Sequence, residues 1–174
     1  MTAPGLSFLD SGELVAAARE LGGVHPPGHP GWLSLAGLAE WLPLGAYAGR
    51  VAWLSSLFAG ASVFVAARIG RRLAGGQTMA QRRLGTAGAW TAGLGLAGAG
   101  SLWLVANRAE VYTLALATNL WALDAALRAG DRASDRAAGG QQGTADPRPL
   151  WGAMAEVVAA VVLGLLNHHY VTLF

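Results

Sequence analysis

From Leu84 to Ala106 the chain carries no charged residue. A span across a bilayer needs roughly 20 mostly apolar residues, so this run predicts a transmembrane helix. Three further segments read the same way: Tyr47 to Ile69, with Arg50 near one end; Glu110 to Leu127, with Asp124 close to its end; and Leu150 to Leu166, with Glu156 inside it. The composition agrees. Of 174 residues, 53% are hydrophobic and 13% charged, against about 25% charged in a soluble domain. The reading is an all-α, polytopic transmembrane protein of about four spans. Glu156 is costly in lipid, so it is expected to face other helices or water. The glycines of "GTAGAWTAGLGLAGAG" read as small residues that let neighbouring helices approach.

Several classes are set aside by the same residues. Cysteine is absent, which removes disulfides and thiolate metal sites. All 12 basic residues are arginines; with so much Ala and Gly this reads as the codon bias of a GC-rich genome, and no nucleic-acid partner is expected. Met1 to Asp10 has neither the basic region nor the apolar core of a signal peptide. The acidic motif lies close to the start, and the chain stops on "NHHYVTLF" within an apolar run. Both features make an N-terminal fragment of a longer membrane protein the expectation.

Arginine placement orients the spans. "RIGRRLAGGQTMAQRR" holds Arg68, Arg71, Arg72, Arg82 and Arg83 without an acid, a positive-inside signal. The stretch from Arg128 to Arg148 is also basic and turn-rich, although its aspartates balance most of the charge. Two spans separate these loops, so both belong on the cytoplasmic side. Residues 10–46, the "NRAEVY" junction at Asn107 to Tyr112 and the "NHHY" cluster at Asn167 to Tyr170 then collect on the opposite, extracytoplasmic face.

Within residues 10–46, "DSGELVAAAREL" predicts a short interfacial helix. Asp10 or Ser11 is its N-cap, Glu13 lies in the first turn, and Leu14, Ala17, Ala18 and Leu21 form its apolar stripe. "GGVHPPGHPG" cannot be helical, and His25 and His29, each before a proline, are expected in extended backbone. "GWLSLAGLAEWLP" predicts a second interfacial helix with Trp32 and Trp41 at headgroup depth. Each polar residue has a plain structural reading: capping for Asp10 and Glu13, a rigid turn for His25 and His29, an interfacial acid for Glu110, and a polar helix end for Asn167, His168 and His169. Their meeting on one face of a charge-poor chain favours a shared site. No metal site is read from H-P-P-G-H, because its prolines forbid the helical i, i+4 geometry of zinc proteases.

"FLDSGELVAAARELGGVHPPGHPGW", "NRAEVYTLALATNLWAL" and "GLLNHHYVTLF" together resemble a bacterial and animal membrane family, long catalogued as a domain of unknown function. That family is associated with protein O-mannosyltransferase activity in the GT-C glycosyltransferase superfamily. The Asp-x-Gly-Glu, His-Pro-Pro-Gly, Glu-Val-Tyr and Asn-His-His motifs occur here in that order over nearly the whole chain. The resemblance also implies a first transmembrane helix ahead of Asp10 and further helices downstream.

The resemblance implies a sugar transfer, mannose by analogy, from a polyprenyl-phosphate donor to a protein Ser/Thr hydroxyl or glycan acceptor. It places the chemistry outside the cytoplasm, in a bacterial inner membrane with the site towards the periplasm. Asp10 is then the expected general base, with Glu13 orienting the acceptor or raising the basicity of Asp10. His25, His29, Glu110, Asn167, His168, His169 and Arg108 are the expected substrate-binding residues, with Arg50 also near that face. No resident cofactor follows from the residues, although the superfamily includes metal-assisted members and so leaves room for a divalent ion. The alternative is a non-enzymatic transporter or scaffold in which Glu156, His168 and His169 form a proton relay, or a fragment inactive by itself.

Overall fold

The computed structural model describes residues 10–20, 22–25, 28–138 and 148–173, with side chains described as far as Asn167 in the last helix. Among these residues there are helices and no strands. They are α1 (Ser11–Glu20), α2 (Pro30–Leu38) followed by a 3-10 turn (Ala39–Trp41), α3 (Tyr47–Ala74), α4 (Met79–Ala97), α5 (Gly100–Ala106), α6 (Tyr112–Ala138) and α7 (Arg148–Leu173). The all-α expectation holds.

Among the described residues two helices, α3 and α7, are long and apolar enough to cross a membrane. The uncharged run at 84–106 is not one straight helix. It is the pair α4 and α5, bent by 60°, where Ala99 is extended between Gly98 and Gly100. The Trp103 indole donates to the carbonyl of Ala97 at 2.6 Å, satisfying one acceptor that the break exposes. If this pair counts as one broken span, three segments qualify. The fourth expected span, 110–127, lies in α6, which does not reach the same apolarity and continues as helix to Ala138. Much of the turn expected after Arg128 is therefore helical.

The long helices pack in sequence: α4 against α3, α3 against α6, and α6 against α7. Small residues set the α3–α4 contact. A Cβ added at Gly88 would lie 2.8 Å from Ala74 Cβ, and one at Gly93 would lie 3.1 Å from Ala67 Cβ. The glycines expected to serve packing do so here.

Several charges inside the long helices are paired with one another. Asp124 is buried and meets Arg68 at 2.9 Å and Arg128 at 3.2 Å. Arg128 reaches on to Glu156 at 2.6 Å, so α3, α6 and α7 are joined by one ionic chain. Glu156 does face another helix, as its cost in lipid requires. It lies roughly 18 Å along α7 from His168 at 1.5 Å per residue, beyond direct proton exchange.

At the end of the bundle where α3 and α6 begin, α1 and α2 form a lid. Leu14, Val15 and Ala18 of α1 and Trp32, Leu33 and Ala36 of α2 share one apolar core with Val51, Val111 and Leu114. The predicted stripe on α1 is thus buried at Leu14, Ala17 and Ala18, while Leu21 lies outside the described residues. Trp41 is 85% exposed, as a headgroup residue would be, but Trp32 is buried at 1% and packs inside the lid instead. The difference comes from where each sits: Trp32 lies on α2 within the shared apolar core, and Trp41 ends the 3-10 turn that follows α2.

Candidate functional site

The loop between α1 and α2 folds back over the start of α1. The His25 backbone N–H donates to Glu13 Oε1 at 2.7 Å, and its Nδ1 meets Glu13 Oε2 at 2.8 Å. One imidazole residue therefore engages both oxygens of one carboxylate. The hydrogen bonds from His25 pull the Glu13 carboxyl below its ordinary value of 4.5. Reciprocally, the bond to Glu13 raises His25 above 6.5, with a smaller contribution from Asp10. Asp10 is exposed at the mouth of α1, its Oδ2 4.0 Å from His25 Nε2.

Asp10, Glu13 and His25 each present a ligand atom within 4.8 Å of the others, a set able to hold a metal ion. The H-P-P-G-H spacing does not point to this trio, because Glu13 comes from α1 and Asp10 from the residue just ahead of it. Both Glu13 oxygens already accept hydrogen bonds, so a cation would have to compete with His25 Nδ1 for the same carboxylate. The geometry as it stands is that of an ion pair beside an open aspartate.

Behind this trio sits Glu110, buried at 7% exposure in the loop between α5 and α6. The Ser11 hydroxyl lies 3.5 Å from its Oε1. Burial raises the Glu110 carboxyl above its ordinary value, and the charge of Asp10 adds to the rise; Arg108 and the Ser11 bond oppose it. The backbone of Glu110 is fixed twice by Ser55 of α3: its N–H donates to Ser55 Oγ at 3.1 Å, and that hydroxyl lies 3.2 Å from its carbonyl oxygen. Ser56 donates to the Ala106 carbonyl at 2.7 Å, anchoring the other side of the same loop. Ser11 is read from the sequence only as a candidate N-cap, and Ser55 and Ser56 are not read as site residues, since a serine in an apolar helix carries no pattern of its own.

His29 departs from its expected extended backbone. It has φ 45° and ψ 47°, left-handed geometry that is uncommon for a residue with a side chain. Its ring is buried, and its Nδ1 meets the Asn167 backbone carbonyl at 2.6 Å, which makes Nδ1 the protonated nitrogen. That contact, with Gly28 at φ 91° just before it, turns the chain sharply into Pro30 at the start of α2. The His25 and His29 rings stand edge to face, 6.1 Å apart. The buried Asn167 side chain donates in turn from Nδ2 to the Val111 carbonyl at 2.9 Å. Gly31 allows α2 to sit close on α7, since a Cβ there would lie 3.2 Å from Leu166.

Asp10, Glu13, His25, His29, Glu110, Arg108 and Asn167 therefore meet at one end of the bundle. The side chains of His168 and His169 lie outside the described residues. Arg50 serves a different purpose. Its Nη1 donates to the carbonyls of Glu40, at 3.0 Å, and Leu42, closing the end of the 3-10 turn. Its guanidinium stacks over Tyr47 at 5.6 Å, which leaves it engaged in structure. Beside the site, a cavity of about 590 Å³ opens between α2, α3, α6 and α7, lined by Leu35, Phe58, Val65, Leu114, Trp121 and Leu163 among others.

No solved structure matches the chain. It is 54% identical over 50 residues to protein O-mannosyl-transferase TMEM260 of Mus musculus, a match covering 28% of this chain and 7% of the mouse protein. The sequence model of the protein O-mannosyl-transferase TMEM260 N-terminal domain matches residues 10–168. With nearly its full length matched, the chain belongs to the family of protein O-mannosyl-transferase TMEM260 N-terminal domains.

Proposed function

We propose that this chain forms the catalytic end of a membrane glycosyltransferase that moves a sugar from a polyprenyl-phosphate carrier to a hydroxyl acceptor, with Asp10 as general base. The observation that carries the reading is the division of labour between the two acids. Both oxygens of Glu13 are engaged by His25, whereas the Asp10 carboxylate is 60% exposed ahead of α1. A base must be reachable by the proton it accepts, and the exposed Asp10 carboxylate meets that condition. Glu13 then serves to hold the loop rather than to sharpen the basicity of Asp10.

In the proposed reaction, the acceptor hydroxyl oxygen attacks the anomeric carbon from the face opposite the phosphate. Its proton passes to Asp10 as the new C–O bond forms. The bond from the anomeric carbon to the phosphate oxygen breaks, and polyprenyl phosphate leaves with the electron pair, inverting the configuration. Arg108 and the His25 imidazole supply cationic surroundings suited to a phosphate, and Asn167 positions His29. His168 and His169 follow Asn167 along α7 and belong to the same proposal. The apolar cavity beside the site is of a character to take the start of a polyprenyl chain. Mannose as the sugar and a protein Ser or Thr as the acceptor rest on the family name alone. The extracytoplasmic orientation rests on the arginine distribution.

The test is Asp10→Asn in the full-length protein, incubated with polyprenyl-phosphate mannose while label is followed into protein. A loss of transfer of at least about 100-fold is expected, with expression and the thermal unfolding midpoint intact. Turnover near wild type would remove Asp10 from the role.

A further inference from the structure

At the other end of α3, roughly 40 Å from the acidic site by helix rise, the α3–α4 turn encloses a cavity of about 570 Å³. Its lining includes Arg68, Arg71 and Arg72 from α3, Arg82 and Thr86 from α4, and Gln77 from the turn, with no acid among the lining residues. We infer that this arginine basin binds a phosphate group, such as the headgroup phosphate of an anionic membrane lipid.

Two features separate the basin from a scatter of topogenic charge. First, its arginines are not equivalent. Arg68 and Arg72 are held by Asp124, and Arg72 also by Asp131, so much of their charge is spent on the bundle. Arg71 and Arg82 have no acidic partner among the described residues, and they approach the cavity from different helices. The α6 acids thus fix one pair of guanidinium groups as walls and leave the second pair for an external anion. Guanidinium groups present paired donors that match phosphate oxygens.

Second, the floor is built to leave space. Gly75 and Gly85 bring α3 and α4 so close that a Cβ on Gly85 would lie 3.0 Å from both the Gly75 Cα and the Arg71 carbonyl oxygen. Gly76 is crowded by the Gln81 side chain, which a Cβ there would meet at 2.6 Å. Gln81 itself is committed to the capping box with Thr78. Glycine at these points keeps the turn tight, so the arginine side chains surround a hollow rather than lying flat.

Arg82 and Arg83 supply the test, because they are adjacent, equally charged, and only Arg82 lines the basin. The purified full chain in detergent is titrated with phosphatidylglycerol, with a phosphate-free glycolipid of matched chains, and separately with inorganic phosphate, and adducts are counted by native mass spectrometry. Phosphatidylglycerol is expected to bind selectively over the glycolipid. Arg82→Gln and Arg71→Gln should each weaken it about fivefold, the loss of one arginine–phosphate contact, while Arg83→Gln leaves it unchanged. Arg82→Lys, which keeps the charge, checks that the turn still folds by an unaltered thermal midpoint. If inorganic phosphate shows the Arg82 dependence and the lipid does not, the basin is a phosphate site for a soluble ligand. Equal effects of Arg82→Gln and Arg83→Gln, or no effect of either on any ligand, would overturn the inference.

Discussion

The imidazole of His29 donates through Nδ1 to the backbone carbonyl of Asn167 at 2.6 Å, joining residues 138 apart in sequence. This bond clasps the lid to α7. His29 also occupies a left-handed conformation that costs a residue with a Cβ about 1 kcal/mol relative to glycine. Replacing it separates the two effects. His29→Ala loses the buried bond and keeps the strain, and should destabilise by about 1–3 kcal/mol. His29→Gly loses the same bond but relieves the strain, so it should be the milder variant by about 1 kcal/mol. Unfolding midpoints in detergent measure both; an alanine variant more stable than the glycine one would contradict the assigned backbone.

The Glu13–His25 pair sets a pH window. Glu13 is lowered from 4.5, so its contribution is present above 4.5 and lost as pH falls through its folded value. His25 is raised from 6.5, so its contribution is present below 6.5 and lost as pH climbs through its folded value. The pair is at full strength between about 4.5 and 6.5. NMR titration should find the His25 midpoint above that of a free histidine. Glu13→Gln should bring it back down, with a small residual rise from Asp10.

Glu110 responds in the opposite sense to Glu13. Its carboxyl is raised by burial, so the neutral form is favoured in the folded chain. Its stabilising contribution is present below 4.5 and lost as pH rises through the folded value. Glu110→Gln, a neutral isostere, should flatten this part of the stability profile, making the variant relatively more stable than the parent at neutral pH than at pH 4.

Ser55 holds the Glu110 backbone on both its N–H and its carbonyl. Ser55→Ala leaves those two buried groups without their partner and should cost about 1–3 kcal/mol. The loop from Asn107 to Val111 should also exchange its amide hydrogens faster. An unchanged exchange pattern would show that the loop is held by other contacts.

Asp124 is the hub of the charges inside the bundle, with Arg68 and Arg128 on either side. Asp124→Ala removes one of the two acids on Arg128, which is 16% exposed and keeps Glu156. It should destabilise by about 3 kcal/mol, the low end for a broken buried pair because Arg68 still reaches solvent. Pairing it with Arg128→Met should recover part of that loss, although Glu156 then loses its partner.

The helices were legible in the sequence wherever an apolar stripe ran at a constant period. Leu14, Ala17 and Ala18 marked the buried face of α1, and the glycines of α4 marked the close approach to α3. The break at Gly98 was not, because a Gly-rich run reads alike whether the chain packs or bends there; the Trp103 bond to Ala97 decides it. The gathering of polar residues at one end followed from alternating the spans. Their actual contacts did not, because Glu13 and His25 meet across a loop whose path depends on His29. A residue before proline is ordinarily extended, and only the distant Asn167 carbonyl explains why His29 is not.

Several bonds that fix the site end on backbone carbonyls: those of Ala106, Glu110, Val111 and Asn167. A carbonyl is the same on every residue, so at Ala106 and Val111 these bonds constrain the path of the chain and leave the side chain free of any part in them. The donors Ser55, Ser56, His29 and Asn167 have no such freedom. Transplanting this site onto other helices would therefore require copying a handful of donor side chains and the curve of two loops, while most of the amino acids along those loops could be rewritten.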